Sequence, residues 1–130
     1  MKTITALAAL AVSVLLSQAA ADTVTTATRT EINQLSRQYT GRACRADYEL
    51  DTESYRTRLT AAQLKAKRTE LYNKWQADLT EDAREDGDRY TLRYRDNRIW
   101  YVKTSSGSGQ REFSVLILTA TGHRELSCDQ

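Results

Sequence analysis

Few residues in this chain have the types and spacing for chemistry: one histidine, His123, two cysteines, Cys44 and Cys128, and arginines that far outnumber the lysines. Proton transfer or nucleophilic attack needs a positioned partner, and no G-x-S-x-G accompanies His123. Ser108 lies in Ser105-Ser106-Gly107-Ser108-Gly109-Gln110, which joins two expected strands instead of opening a helix, so it reads as a linker. His123 reads as a surface turn residue. A hydrolase is thus the least favoured class, the chain is not expected to be an enzyme, and no catalytic residue is assigned.

Metal chemistry finds no better support. Cys44 and Cys128 lie far apart with only His123 nearby, which is not zinc-ligand spacing. The acidic run Glu81-Asp82-Ala83-Arg84-Glu85-Asp86-Gly87-Asp88 lacks the alternating ligands of a calcium loop. Glu81 and Glu85 share one helical face, so they do not oppose each other as paired glycosidase carboxylates would. The run reads as a solvated face paired with arginines, and no metal or cofactor is expected.

What remains is the hairpin Arg89 to Thr104. With Asp96-Asn97 as a two-residue turn, Arg95 opposes Arg98, Tyr94 opposes Ile99, Arg93 opposes Trp100, Leu92 opposes Tyr101 and Tyr90 opposes Lys103. One face, with Leu92, Tyr94, Ile99 and Tyr101, is assigned to the core. The other gathers Arg93, Arg95, Arg98 and Trp100 as an exposed binding face. Directly opposed like charges destabilise a hairpin unless something compensates, and Glu112 on the next strand or water is the in-domain option. The other option is an anionic partner, because Arg and Trp are typical of interface hot spots.

The elements that must position these residues follow from periodicity. Residues 1–21 read as a cleaved signal peptide: Lys2, an apolar run from Ile4 to Leu16, and Ala19 and Ala21 ahead of a cut between Ala21 and Asp22. That run, about 13 residues, is short of the roughly 20 needed to span a bilayer, and no other segment is apolar enough, so no membrane association is expected after cleavage. Residues 22–29 read as an extended lead-in and 30–130 as a single domain. Thr30 is the expected cap of a short helix carrying Ile32, Leu35 and Tyr39 and ending at Gly41. Cys44, Ala46, Tyr48 and Leu50 alternate as a half-buried strand.

A long helix starts at the capping box Thr60-Ala61-Ala62-Gln63 and steps through Leu64, Arg68, Leu71, Trp75 and Leu79. Carboxylates oppose the dipole at a helix C-terminus, so a break near Leu79 is expected, with Thr80 capping a second short turn to Gly87. Four strands then form an antiparallel meander: Arg89 to Arg95, Arg98 to Thr104, Arg111 to Thr119 and His123 to Cys128. Phe113 to Leu118 is apolar on both parities apart from Ser114, which marks a central strand.

The predicted fold is a small α+β domain: an antiparallel sheet of one strand plus a C-terminal meander, packed on the long helix and preceded by the short one. An exported chain meets an oxidising environment, so Cys44 and Cys128 are read as one disulfide tying the first strand to the last. Closing so long a loop contributes roughly 4 kcal/mol in the chain-entropy model. Similar layouts occur in cystatin-like and NTF2-like folds and in small periplasmic inhibitors, without motif residues that tie this chain to one of them.

Composition limits the function classes. In 130 residues, 19 basic against 17 acidic side chains give a formal charge of +2, too balanced for a nucleic-acid-binding domain without a recognisable motif. The first expectation is a periplasmic or secreted binding or inhibitor-type protein facing a protein partner or an anionic envelope polymer through Arg93, Arg95, Arg98 and Trp100. The alternative is a cystatin- or NTF2-like small-ligand binder with a pocket between helix and sheet, lined by Tyr48, Tyr72, Trp75, Tyr94 and Tyr101. Partner identity and oligomeric state do not follow from the sequence.

Overall fold

The structure, a computed structural model, describes residues 23–130. The expected signal peptide and its cleavage point lie outside the described residues. Helix α1 (Thr26–Thr40) is followed by β1 (Ala46–Ser54), the long helix α2 (Ala61–Asp86), β2 (Arg89–Arg95), β3 (Arg98–Thr104), β4 (Arg111–Thr119) and β5 (Gly122–Asp129). All strands are antiparallel, in the order β1-β5-β4-β3-β2. This is the α+β layout expected from the sequence, with β4 in the middle of the sheet. The hairpin register is also as expected, from Arg89 opposite Thr104 to Arg95 opposite Arg98.

Helix α1 begins earlier than its apolar period suggests, and part of the expected lead-in is helical. Thr25 is the cap, its hydroxyl accepting from the Thr28 N–H at 3.1 Å. Thr30, expected as the cap, is inside the helix and donates back to the Thr26 carbonyl at 3.0 Å. Threonine serves either role because its short hydroxyl reaches backbone groups on both sides.

The expected break in the long helix is absent. Helix α2 runs unbroken for 26 residues from the predicted capping box to Gly87, whose left-handed backbone (φ 73°) lets its N–H close on the Ala83 carbonyl. Carboxylates near a helix end cost a few tenths of a kcal/mol each, whereas burying a leucine such as Leu79 contributes about 1.5–3 kcal/mol. Lys103 of β3 also reaches Asp82 at 3.2 Å, and Arg84 lies in the last turn. Burial and these countercharges together outweigh the dipole penalty.

The largest correction concerns the sheet's second face. Helix α2 covers β2, β3 and β4 on one side, and α1 covers β4 and β5 on the other. The first layer packs Leu71 with Ile99, Leu116 and Leu118, flanked by Leu64, Tyr72, Trp75 and Leu92. The second packs Ile32 and Leu35 with Trp100, Phe113, Val115, Leu126 and Cys128. Trp100, expected on an exposed face, is only 8% exposed. Its ring stacks on Tyr39 of α1 at 4.0 Å between centroids and 11° between planes. The register is right; the assumption that this face meets water is wrong.

Helix α1 is held down by several independent ties. Cys44 and Cys128 are joined as expected, 84 positions apart in sequence and 5.7 Å between Cα atoms. Cys44 precedes β1 instead of lying within it, and its N–H donates to Asn33 Oδ1 of α1 at 2.8 Å. The Gln130 amide donates to Ser36 and Thr40 at 2.7 Å each, and the buried Ser36 donates to the Arg42 carbonyl. Arg124 forks onto Glu31 at 2.9 and 3.0 Å, a bidentate geometry suited to guanidinium and carboxylate. At the turn into β5, a Cβ on Gly122 would collide with the Glu53 carbonyl oxygen, so β1 lies close against that residue.

Two outcomes follow. Replacing Cys44 or Cys128 by serine should lower stability by about 2–5 kcal/mol, with the double variant resembling either single one in a denaturant titration. Trp100→Ala should destabilise by about 3–5 kcal/mol in the same titration, because it removes a buried ring from the α1 layer.

Candidate functional site

Successive side chains of a strand point to opposite sides of the sheet. In β2 this places Arg89, Thr91, Arg93 and Arg95 on the side where α1 packs, opposite Thr104, Val102, Trp100 and Arg98 of β3. Because α1 lies over β4 and β5, this outer part of its own side stays uncovered. A groove of about 510 Å³ opens there, lined by Tyr39 and Thr40 at the end of α1, by Arg89, Arg93 and Arg111, and by Trp100 and Val102 below. The buried Trp100 contributes to its floor and is not an exposed anchor.

Of the sequence-predicted residues, Arg93, Arg95 and Arg98 are exposed on this side, and only Arg93 lines the groove with Trp100. Arg98 donates to the Tyr39 hydroxyl at 3.1 Å, which ties the rim to α1. Sequence reasoning missed Arg89, Arg111, Tyr39 and Thr40. Arg89 was within reach, since it shares parity with Arg93 and Arg95. Arg111 was not, because its place opposite Thr104 depends on a register that the glycine-containing loop after β3 left open.

The electrostatics favour an anion. Arg89, Arg93, Arg95, Arg98 and Arg111 have no carboxylate within 4.0 Å among the described residues. Burial, reinforced by the neighbouring charge of Arg42, holds the Arg111 guanidinium below its ordinary pKa. Glu112, the expected compensator, is on the other side of the sheet, 3.7 Å from Lys103. Burial raises the Glu112 carboxyl above its ordinary pKa, against the opposing pull of Lys103. It does not neutralise the arginine face.

The aromatic residues proposed for a pocket between helix and sheet do not gather around one cavity. Tyr72 meets Tyr94 edge-on at 5.4 Å, Trp75 meets Tyr101 edge-on at 4.9 Å, and Tyr48 packs in the α1 layer across the sheet. The acidic run ends α2 and places Asp82 against Lys103, while Asp88 accepts from the Ser106 N–H at 3.0 Å. Among the described residues no group of three or more His, Cys, Asp or Glu side chains is placed to hold a metal ion.

His123 is not a surface turn residue, for its side chain is only 7% exposed at the start of β5. Its Nδ1 lies 2.6 Å from the Tyr55 hydroxyl, and its Nε2 lies 3.4 Å from Glu53 and 4.0 Å from Glu125. Burial raises the Tyr55 hydroxyl above its ordinary pKa, assisted by Glu53 and Glu70. These contacts engage both ring nitrogens and hold the β1–β5 corner together.

The chain matches no protein-family model, and comparison with curated proteins and with solved structures likewise gives no match.

Glu125 provides a pH test of this corner, since burial raises its carboxyl above the ordinary 4.5 although His123 opposes the shift. The folded state holds that proton more tightly than the unfolded chain. Its stabilisation is therefore complete below the unfolded value and is lost as pH rises through the folded one. Glu125→Gln should flatten the fall in thermal midpoint over the range just above 4.5; an equal fall in the variant would assign the pH dependence to other groups.

Proposed function

We propose that this protein is an exported binding or inhibitor-type module whose arginine groove receives an acidic segment of a protein partner. The observation that carries the reading is a groove lined by Arg89, Arg93 and Arg111, with Arg95 and Arg98 exposed on the same side of the sheet, none of the five having a carboxylate counterpart among the described residues. Arginine suits this role because its planar fork donates to carboxylates bidentately. Export rests on the leader sequence together with the Cys44–Cys128 disulfide, which fits an oxidising compartment. No helix among the described residues is long and apolar enough to cross a membrane.

The reading differs from the sequence expectation in how the site works. Trp100 supports the floor from below, while contact with the partner falls to guanidinium groups and to the groove-facing edge of Tyr39. A rigid sheet under such a row reduces the ordering cost of binding. A second reading, a small anionic ligand, is favoured by the groove's volume of about 510 Å³, which falls within the usual range for ligand sites. An anionic envelope polymer would use the same charges without needing the groove's depth.

The test is a titration with a polyglutamate peptide at low and moderate salt. Arg93→Glu with Arg111→Glu should weaken binding by more than about tenfold and reduce its salt dependence while folding is retained. A wild-type protein that ignores polyglutamate but binds a small polyanion would favour the ligand reading, and indifference to both would remove the groove from consideration.

A further inference from the structure

The two edges of the sheet carry opposite charge. Edge strand β1 holds Asp47, Glu49, Asp51 and Glu53, all exposed, and no basic residue. Edge strand β2 holds Arg89, Arg93 and Arg95, also exposed, and no acidic one. The helices are offset so that each leaves one edge uncovered on its own side: α1 leaves β2 and, beyond the Tyr39–Trp100 stack, the outer part of β3, and α2 leaves β5 and β1. The uncovered strip on the α1 side is basic. On the α2 side it carries Glu49, Asp51 and Glu53 beside Glu125, bordered by Lys74 of α2.

From this complementarity we infer that the partner that fits the arginine edge is a second copy of this chain, whose acidic β1 adds to β2 and continues the sheet. The inference rests on the reading of that edge as an acid-binding surface. In one copy β1 and β2 run in the same direction, since three strands of alternating direction separate them. Turning the second copy over, about an axis in the sheet plane and perpendicular to the strands, makes its β1 antiparallel to the first copy's β2. The same rotation brings its α2 side round to the first copy's α1 side. Arginines at 89, 93 and 95 then share a surface with carboxylates at 49, 51 and 53, and Arg93 and Arg95 repeat the two-residue spacing of the carboxylates. Neither α1 of the first copy nor α2 of the second covers the strands at this junction.

On the reverse surface of the junction the first copy presents Tyr94, beside the half-buried Tyr48 and Leu50 of the second, which alternate with the carboxylates and pack in the α1 layer. Tyr94 is 55% exposed and is the exposed large hydrophobic residue among the described residues. A neighbouring strand would cover it. An edge strand offers unpaired backbone groups to such an addition, and charges of one sign along each edge disfavour like-with-like pairing. The contact joins unlike surfaces, so each bound pair keeps one free edge of either kind and association is head-to-tail.

Sedimentation velocity across a concentration series at low salt tests the inference. The wild type should form dimers and longer species, with association weakened by about tenfold or more at about 0.5 M salt. Arg93→Glu with Arg95→Glu leaves only the acidic edge working, and Glu49→Arg with Asp51→Arg leaves only the basic edge. Each variant alone should be monomeric with an unchanged circular dichroism spectrum, and a mixture of the two, in which acidic edges again meet basic ones, should recover association. A monomeric wild type, a mixture that stays monomeric, or a variant that still self-associates would overturn the inference. The Glu49/Asp51 variant retains the arginine groove, so its polyglutamate titration separates failure of self-association from failure of the acid-binding reading itself.

Discussion

The arrangement depends on β4, whose side chains are apolar toward both sides of the sheet. Phe113 and Val115 point to one layer, and Leu116 and Leu118 to the other, all at most 2% exposed. A strand apolar on both faces cannot leave either one in water, since burying each such side chain is worth about 1.5–3 kcal/mol. Two helices are therefore required. Helix α2 is long enough to span three strands, whereas α1 is short and relies on ties: the disulfide, the Gln130 amide, the Glu31–Arg124 fork and the Tyr39–Trp100 stack.

That requirement also shapes the surface. Two helices of unequal length cannot cover both faces of a five-stranded sheet completely, and their offset leaves diagonal strips open. Those strips are the places where charged side chains can extend into solvent without disturbing the core. Arginines occupy the strip beside β2 and carboxylates the strip beside β1, so a chain with a formal charge of only +2 is strongly polar across its sheet. Near-neutral net charge hides this, because it averages two surfaces that never meet within one molecule.

The disulfide acts at both levels. It closes a loop of 84 positions, which restricts the unfolded chain. It also fixes the chain between α1 and β1 against β5, keeping α1 over β4 and β5 and away from β2. The groove exists because α1 stops short, and Gly41, left-handed at φ 74°, turns the chain away just past Thr40. Fold stability and site geometry are thus coupled through one region.

Much of the fold was legible in the sequence because its signals are local. The two-residue turn at Asp96-Asn97 set the hairpin register through to Arg89, the Thr60 capping box set the start of α2, and double apolar parity put β4 at the centre. The same parity implied a covered second face, but the narrow stripe of Ile32, Leu35 and Tyr39 did not reveal which face α1 would choose. Trp100 was therefore placed in solvent and His123 at a turn, although the tertiary packing buries both. The break expected near Leu79 failed for a related reason: the lysine that offsets Asp82 comes from β3, far away in sequence. Alternation, caps and turns act between neighbouring residues, so the sequence by itself determined the strands, the long helix and the register of their hairpin. Which faces meet water, which arginines share a groove and which charges go uncompensated depend on how helices of fixed length lie across a sheet, and only the tertiary structure decided those.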